Sequence, residues 1–308
     1  MLLIAFLVLA LLSAGLVAIM ARVGVLDHPG PRSSHAAPIP KGGGVGIVAA
    51  SLAGLAFLPG PVAPRLVFAL GGLLVAAVGF WDDRHNFPPA VKLAAQIIAA
   101  ALPLLCGVTL HLTASGPVNA VLLMGWLLLV TNAVNFMDGL NGLSAGTVLI
   151  AACGAGFPSL TIGLIAGIAG FLPFNYPRAR IFMGDVGSQF IGYALGLLAV
   201  FGASGPHPWL VPFASTGLLA DVIFTLIRRL RAGDRITQAH RGHLYQIAHR
   251  TGMPDTLIAL VHWSFAAIGV ALGLLPWHSW LITAVLLPQI AWALYVIWRA
   301  RIVPIGRW

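Results

Sequence analysis

The acids of this chain, and the polar stretches that hold them, favour the binding of a hard metal ion beside phosphate. All eight acidic residues are aspartate, and four of them stand in short polar stretches, at Asp82, Asp83, Asp138 and Asp185. Mg²⁺ takes carboxylate oxygens as ligands and bridges to the oxygens of a diphosphate, which the aspartates alone would repel. No cysteines and histidines of the sequence have the spacing of a zinc site. The four carboxylates therefore predict an Mg²⁺ site, with Mn²⁺ as the alternative metal.

Lysines and glycines at the starts of apolar segments favour the binding of phosphate. The sequence KGGGVG begins at Lys41, Lys92 opens a later segment, and Gly142 and Gly187 stand near the starts of two more. The first turn of a helix has free backbone N–H groups and the positive end of the helix dipole. Glycine lets that backbone approach an anion closely. These positions predict a cradle for phosphate groups.

A further set of candidates lies in the stretch RRLRAGDRITQAHRGHLYQIAHRTG, residues 228–252. It holds six arginines and three histidines. Polybasic loops that only face anionic lipid are usually tracts of lysine and arginine. The compact core of His240, Arg241 and His243 therefore favours a part in binding or catalysis.

The elements that must position these residues are membrane-spanning helices. Of the 308 residues, 59% are hydrophobic and 8% are charged, against about 25% charged residues in an average soluble domain. Apolar stretches long enough to cross a bilayer recur along the chain, which predicts an all-α polytopic integral membrane protein. The first stretch lacks the basic start and the cleavage site of a signal peptide, so it is interpreted as a span. Cys106 and Cys153 are interpreted as small packing residues.

The positive charges predict the orientation of these helices. All but Arg65 of the 17 lysines and arginines lie in loops after odd-numbered spans, which the positive-inside rule makes cytoplasmic. The N-terminus is then outside and the C-terminus cytoplasmic. The net charge of +9 is explained by loops that face anionic lipid, and no nucleic-acid partner is expected. The polar aspartate stretches fall on the same cytoplasmic side. The eleven predicted spans are 1–22, 42–59, 65–81, 90–106, 118–136, 143–157, 160–175, 188–203, 208–230, 257–275 and 279–298.

Five motifs occur in one order along the chain: DHPGPRSSHAAPIPKGGG, DDR, NAVNFMDGLNGL, FNYPRARIFMGDVGS and HRGHLYQ. In these motifs the sequence resembles the polyprenyl-phosphate N-acetylhexosamine-1-phosphate transferase superfamily (glycosyltransferase family 4), over nearly the whole chain. The resemblance implies transfer of N-acetylhexosamine-1-phosphate from a UDP-sugar to undecaprenyl phosphate, with release of UMP and dependence on Mg²⁺. It implies a single transmembrane catalytic domain, residues 1–308, with its active site on the cytoplasmic loops 24–41, 82–92, 132–143, 174–188 and 231–255.

The family's functional residues are carried over where this sequence matches its motifs. The expected catalytic residues are Asp82, Asp83, Asp185, His240, Arg241 and His243. The expected substrate-binding residues are Lys41, Lys92, Asn135, Asp138, Asn175 and Phe182. The expected metal ligands are Asp185 and Asp138. The resemblance implies that the acidic pair binds or deprotonates the lipid phosphate, that Phe182 stacks on uracil, and that the histidine-rich loop contacts the sugar and the diphosphate.

Two differences within the motifs indicate the branch of the superfamily. The last motif reads HRGHLYQ where the MraY branch has a longer run of histidines, and Asn141 stands where that branch has a second aspartate. The sequence is therefore closer to the WecA/WbpL branch, which implies the initiating step of a cell-envelope glycan such as O-antigen. The implied partners are UDP-N-acetylhexosamine, undecaprenyl phosphate and the lipid of a bacterial cytoplasmic (inner) membrane. The sequence leaves the oligomeric state open, with a homodimer as one alternative.

Alternatives differ in how well they fit the pattern. An MraY-type phospho-MurNAc-pentapeptide transferase is the second candidate within the superfamily. A secondary transporter is disfavoured because the polar residues gather at one face, whereas transporters place them near the bilayer midplane between internal repeats. A non-catalytic relative is disfavoured because the aspartates are retained. One-step displacement and a two-step route through an aspartyl intermediate are both open, as is the division of roles between Asp82 and Asp83.

Overall fold

The computed structural model describes residues 1–29, 37–57, 59–235, 240–306 and 308. Two short strands, β1 (Val25–Asp27) and β2 (Ile39–Lys41), pair antiparallel. The helices are α1 (Leu2–Val23), α2 (Gly44–Phe57), α3 (Val62–His85), α4 (Pro89–Leu105), α5 (Gly116–Phe136), α6 (Leu143–Gly154), α7 (Pro158–Asn175), α8 (Asp185–Gly202), α9 (Leu210–Ala214), α10 (Thr216–Arg231), α11 (Leu244–Arg250), α12 (Asp255–Gly273) and α13 (Trp280–Ile302).

The helices have the lengths and composition of membrane spans. Over the described ranges, seven are long and apolar enough to cross a membrane, namely α1, α3, α5, α7, α8, α12 and α13. Three shorter apolar helices, α2, α4 and α6, accompany them. This composition agrees with the predicted all-α membrane protein. The number of eleven spans and their orientation stay predictions.

The predicted ninth segment, 208–230, consists of two helices instead of one. α9 ends one residue before Ser215 and α10 begins one residue after it. The Ser215 hydroxyl donates to the carbonyl oxygen of Val211 at 2.7 Å. A serine hydroxyl that bonds back to the preceding turn bends a helix. Hydropathy alone does not report this break, because both pieces are apolar.

α8 lies at the centre of the helix packing. Every residue from Val186 to Val200 is buried, and α3 and α5 lie against it. Phe190 packs edge-on against Phe68 of α3, with ring centroids 5.7 Å apart. Trp126 of α5 donates from Nε1 to the carbonyl oxygen of Gly196 at 3.1 Å. Because buried aromatic pairs and a satisfied indole N–H stabilise such contacts, the start of α8 is fixed relative to α3 and α5.

Gly79 permits α3 to lie against the first turn of α8. A Cβ atom at this position would lie 2.5 Å from the carbonyl oxygen of Asp185 and 2.7 Å from the backbone nitrogen of Val186. Backbone atoms of a packed helix cannot move aside as the end of a side chain can. Any residue larger than glycine therefore separates the two helices.

Gly79→Ala is expected to lower the stability of the purified protein in detergent by roughly 1–3 kcal/mol, because overpacking displaces α8 from α3. Thermal unfolding measures the change. The matched control is Gly125→Ala in α5, where a Cβ atom would meet nothing within 4 Å and the higher helix propensity of alanine acts alone. Equal melting temperatures for the two variants would contradict the close approach.

Candidate active site

Asp83, in the last turn of α3, caps the first turn of α8. Its Oδ1 accepts a hydrogen bond from the backbone N–H of Asp185 (3.1 Å), and its Oδ2 accepts one from Val186 (3.3 Å). A helix N-terminus has unpartnered N–H groups and a partial positive charge, so a buried carboxylate is stabilised there. Gly184 precedes the helix with φ +76°, and a Cβ atom on it would lie 2.5 Å from Asp83 Oδ2. The cap places Asp185 directly beside the acidic pair.

Lys92 joins Asp82 to Asp185. Its Nζ lies 2.9 Å from Asp82 Oδ2 and 2.8 Å from Asp185 Oδ2. Lys41 Nζ lies 3.6 Å from Asp83 Oδ1. Adjacent residues of a helix point about 100° apart, which explains why Asp82 faces Lys92 while Asp83 faces α8. Each carboxylate of the pair therefore has its own lysine and its own task.

The other oxygen of Asp185 faces α5. Asn135 donates from Nδ2 to Asp185 Oδ1 (3.1 Å) and to Ser188 Oγ (2.8 Å). Ser188 is the last residue of the fourth motif but was not among the expected site residues, although its position three residues after Asp185 places both side chains on one face of α8. Both oxygens of Asp185 are held, one by Lys92 and one by Asn135, which fixes the orientation of this carboxylate.

A cavity of about 240 Å³ opens beside these residues. Asp27, Asn141 and Ser188 line it in addition to predicted residues. No cysteine or histidine of the described chain is among its lining residues, so oxygen ligands and amides dominate the space. Asp82 and Lys92 are outside the lining and contact Asp185 instead. The predicted site residues that do line the cavity are Lys41, Asp83, Asn135, Asp138, Asn175, Phe182 and Asp185.

Asp138, in the turn between α5 and α6, brings a second candidate metal ligand to the cavity. Its Oδ1 accepts a hydrogen bond from Ser144 Oγ. Burial raises the pKa of the Asp138 carboxyl well above its usual range, and the negative charges of Asp185 and Asp83 raise it further. Carboxylates that repel each other around one cavity are stabilised when a divalent cation lies between them. In the part of the chain that the structure describes, no three His, Cys, Asp or Glu side chains form a ligand set by themselves.

The backbone N–H groups at three of the four helix starts of the predicted phosphate cradle, those of α2, α6 and α8, are not free. The N–H groups of residues 42–44 donate to the carbonyl oxygens of Phe182 and Met183, at 2.9–3.2 Å. Gly142 donates to Asn175 Oδ1 at 2.6 Å, and the start of α8 is capped as described above. Buried N–H groups without partners are strongly unfavourable, so the folded chain satisfies them internally. Charge on a bound phosphate must be offset by side chains or by a metal.

Asn175 and Phe182 hold the segment between α7 and α8. Asn175 Nδ2 donates to the carbonyl oxygen of Ile181 at 3.0 Å, so both ends of its amide join loops of the protein. The backbone N–H of Phe182 donates to the carbonyl oxygen of Pro40 in β2 at 2.8 Å. The partly exposed side chain of Phe182 borders the cavity. The stacking of Phe182 on uracil and the contact of Asn175 with a nucleotide stay predictions.

The histidine-rich loop lies at a different place from the first cavity. His243 is buried, with 5% of its surface exposed, and its ring stacks on that of His240 with centroids 5.0 Å apart. Burial, followed by repulsion from neighbouring basic groups that include Arg228 and Arg229, lowers the pKa of His240 to about 4. His240 is therefore neutral near pH 7. Residues 236–239 of this loop lie outside the described residues. A second cavity, of about 420 Å³, is lined by Arg228, Arg229, Asp234, His240, Arg241, Gly242, Arg250 and Trp308.

Tyr245 connects the histidine-rich loop to the first cavity. Its hydroxyl donates to the carbonyl oxygen of Phe136 at 2.9 Å. A Cβ atom on Gly139 would lie 2.2 Å from the same hydroxyl. Asp138 stands in the turn between these two contacts, so α11 packs directly against the loop that carries it.

Three amides form a hydrogen-bonded group beside the site. Gln96 Nε2 donates to Gln189 Oε1 at 2.7 Å, and Asn132 Nδ2 donates to Gln96 Oε1 at 2.7 Å. Each amide lies about one helical turn from a site residue on the same helix, on α4, α8 and α5 respectively. A buried polar network is favourable when its groups are satisfied, and it then fixes the register of the helices that share it. No motif indicated this group, because its members are far apart in the sequence.

Comparison with known proteins bears on this arrangement. Residues 65–203 match the sequence model described as glycosyl transferase family 4. The chain is 31% identical over 297 residues to the decaprenyl-phosphate N-acetylglucosaminephosphotransferase of Mycolicibacterium smegmatis, with 77% of this chain and 73% of that protein covered. The chain belongs to glycosyl transferase family 4. Within it, the chain is 30% identical over 254 residues to the undecaprenyl-phosphate alpha-N-acetylglucosaminyl 1-phosphate transferase of Thermotoga maritima, covering 81% of each. The corresponding protein of Escherichia coli O157:H7 is 28% identical over 287 residues, covering 81% of this chain and 77% of that protein.

The family match and the site coincide. The matched range contains Asp82, Lys92, Asn135, Asp138 and Asp185. The resemblance to the polyprenyl-phosphate hexosamine-1-phosphate transferase superfamily is confirmed, whereas the choice between its WecA/WbpL and MraY branches stays a prediction. In this member of glycosyl transferase family 4, the range matched by the family model includes the start of α8, where the structure brings these residues together.

Lys92→Met is expected to destabilise the folded protein by roughly 1–3 kcal/mol, because it leaves the carboxylates of Asp82 and Asp185 facing each other without the shared ammonium. Thermal unfolding in detergent measures the loss. Adding Asp82→Asn to this variant removes one of the two charges and is expected to restore part of the stability. The control is Lys41→Met, whose single contact with Asp83 is longer, and its effect is expected to stay below about 1 kcal/mol. A Lys92→Met protein that melts with the wild type would contradict the bridging role.

Proposed function

We propose that this protein transfers N-acetylhexosamine-1-phosphate from a UDP-sugar to undecaprenyl phosphate or a similar polyprenyl phosphate, giving polyprenyl-diphospho-N-acetylhexosamine and UMP. The observation that carries the proposal is the cavity at the start of α8, where carboxylates, amides and a lysine line one space between apolar helices. The relatives named above are, by name, transferases of N-acetylglucosamine phosphate that use polyprenyl phosphates, and they support the same reaction here.

In this proposal the UDP-sugar binds with its diphosphate in the cavity. Lys41, which lies 3.6 Å from Asp83, supplies positive charge for phosphate oxygens. The amides of Asn135 and Asn141 line the same space and can hydrogen-bond the nucleotide or the sugar. The side chain of Phe182 at the cavity edge offers an aromatic face for uracil.

The residues present fit Mg²⁺. Asp138 and Asp185 line one cavity with other oxygen and amide groups, and no thiol or imidazole of the described chain lines it with them. Mg²⁺ is commonly held by one or two carboxylates together with substrate phosphates and water, which agrees with two protein ligands. When bound, the ion supplies neutralisation of charge on the diphosphate. Because the ion would reduce the repulsion between the carboxylates of Asp138 and Asp185, it would also keep Asp138 ionised.

The reaction that we propose is a single displacement. An oxygen of the acceptor phosphate forms a bond to the phosphorus that carries the sugar, and the bond from that phosphorus to the oxygen of UMP breaks. A phosphate monoester has its second pKa at about 6, so the acceptor is largely ionised near pH 7 and needs little help from a base. The oxygens of Asp82 and Asp83 already accept bonds from Lys92 and from the start of α8. These bonds support a role for both acids in orienting the acceptor phosphate, and they disfavour nucleophilic attack by either acid on phosphorus.

The finer assignment rests on the third and the fifth motif. HRGHLYQ and Asn141 support a plain or deoxy N-acetylhexosamine, such as that of UDP-N-acetylglucosamine, over UDP-MurNAc-pentapeptide. The product would begin a cell-envelope glycan such as O-antigen in a bacterial inner membrane. A panel of UDP-sugars offered to the purified protein separates these substrates directly.

The purified protein in detergent, given undecaprenyl phosphate, Mg²⁺ and a panel of UDP-N-acetylhexosamines, is expected to release UMP with at least one sugar. Asp185→Asn is expected to reduce the turnover by about 10²- to 10⁴-fold, because the charge at the start of α8 is lost. The matched control is Asp255→Asn, an aspartate paired with His249 (2.6 Å) and outside both cavities, which is expected to keep near wild-type turnover. Absence of UMP with every sugar would refute the proposed reaction.

Removal of divalent cations with EDTA is expected to stop UMP release, and Mg²⁺ or Mn²⁺ is expected to restore it. Asp138→Asn should raise the Mg²⁺ concentration for half-maximal rate by roughly 10- to 100-fold, since one of two carboxylate ligands is lost, while Asp255→Asn leaves it unchanged. Full activity after EDTA treatment would show that the carboxylates of the cavity act without a metal.

A further inference from the structure

A buried carboxylate that the proposed reaction does not use lies in direct contact with the histidine-rich loop. Asp221, on α10, is 2% exposed. Its Oδ1 lies 3.0 Å from His243 Nδ1 and accepts the backbone N–H of Leu244 at 3.0 Å. Its Oδ2 accepts the backbone N–H of Tyr245 at 2.9 Å. One carboxylate therefore holds both the side chain of His243 and the first turn of α11.

The bonds of Asp221 determine the state of the His243 ring. An ionised carboxylate offers only acceptors, so His243 Nδ1 must carry the proton in this contact. In a neutral imidazole the second nitrogen, Nε2, is then an unprotonated acceptor. Thr225 Oγ1, at 3.3 Å from Asp221 Oδ1, adds a further donor to the same oxygen. When the His243 ring is neutral, this contact therefore selects its Nδ1–H tautomer.

His243 stands where its orientation affects both clusters of the site. Its ring lies 5.0 Å from that of His240, which lines the second cavity, and 6.0 Å from that of Phe136. The carbonyl oxygen of Phe136 in turn accepts the hydroxyl of Tyr245, beside the turn that carries Asp138. A rotation of the His243 ring would disturb the second cavity and this turn together.

The geometry points to Asp221 as a positioning residue for sugar-phosphate transfer, which acts by holding His243 in its Nδ1–H tautomer and in one orientation. This inference rests on the proposed function, in which the histidine-rich loop takes part. Asp221 differs in this from a simple cap of α11, because a cap would affect stability alone. The effect of Asp221 on turnover passes through the imidazole of His243.

The tautomer can be measured without any activity. In the wild-type protein labelled with ¹⁵N-histidine, the signal that His243→Ala removes is expected to report a protonated Nδ1 and an unprotonated Nε2. An Nε2–H tautomer would overturn the inference, whether or not the protein releases UMP. The proposed function, by contrast, fails when the wild type releases no UMP, so the two failures are distinct.

A double-mutant cycle separates positioning from folding. Asp221→Asn is expected to lower kcat by roughly 10- to 100-fold, the range found for groups that orient a functional histidine, with a smaller change in KM. In a His243→Ala background the same substitution is expected to change kcat by no more than about twofold, because the imidazole through which Asp221 acts is absent. A twofold change is about the scatter of independent mutational effects. Asp221→Ala serves as a second variant if the Asp221→Asn protein is unstable.

The matched control is Asp255→Asn, which alters the other aspartate–histidine pair of the described chain, with His249 (2.6 Å), and is expected to leave kcat unchanged. Equal losses from Asp221→Asn in both backgrounds would overturn the inference, because Asp221 would then act through the fold alone.

Discussion

The contact between the Asp83 carboxylate and the first backbone N–H groups of α8 is the constraint on which the rest of the site depends. It joins the end of α3 to the start of the buried helix α8, 102 residues later in the chain. Because Asp83 is used in this way, Asp82 is free to turn toward Lys92, and Lys92 in turn reaches Asp185. Because Gly79 has no side chain, the two helices approach each other closely enough for these bonds.

Placement at helix ends explains how so apolar a chain tolerates this charge. Two adjacent aspartates would be strongly unfavourable within hydrocarbon, but each has a lysine nearby and accepts hydrogen bonds from backbone N–H groups. The amide group of Gln96, Asn132 and Gln189 lies one turn away and satisfies its members among themselves. The charges of Asp82, Asp83, Lys92 and Asp185 therefore lie near the ends of their helices, and neutral polar groups extend from them along the same helices. This distribution favours chemistry at one face over the midplane binding site of a transporter.

The sequence alone predicts much of this arrangement and misses parts for identifiable reasons. The boundaries of the apolar segments and the loop charges placed Asp82, Asp83 and Asp185 at one face, because each stands at the end of a strongly apolar segment. The family resemblance added Asn135 to the same site. The prediction that the N–H groups of residues 42–44 are free was wrong, because local sequence does not report that carbonyl groups about 140 residues later in the chain accept their hydrogen bonds. Asp221 could not be assigned to His243 from spacing, since their contact depends on the tertiary fold of α10 and α11. The break at Ser215 was hidden by apolar residues on both sides.

In the proposed function, the cavity at the start of α8 binds the diphosphate of the donor. An electron cryo-microscopy structure of the protein with UDP-N-acetylglucosamine and Mg²⁺ tests this directly. We expect density for the diphosphate between Lys41 and Asp185, with the uracil beside Phe182. Density for the whole nucleotide sugar within the arginine-lined second cavity, with none beside Asp185, would contradict it.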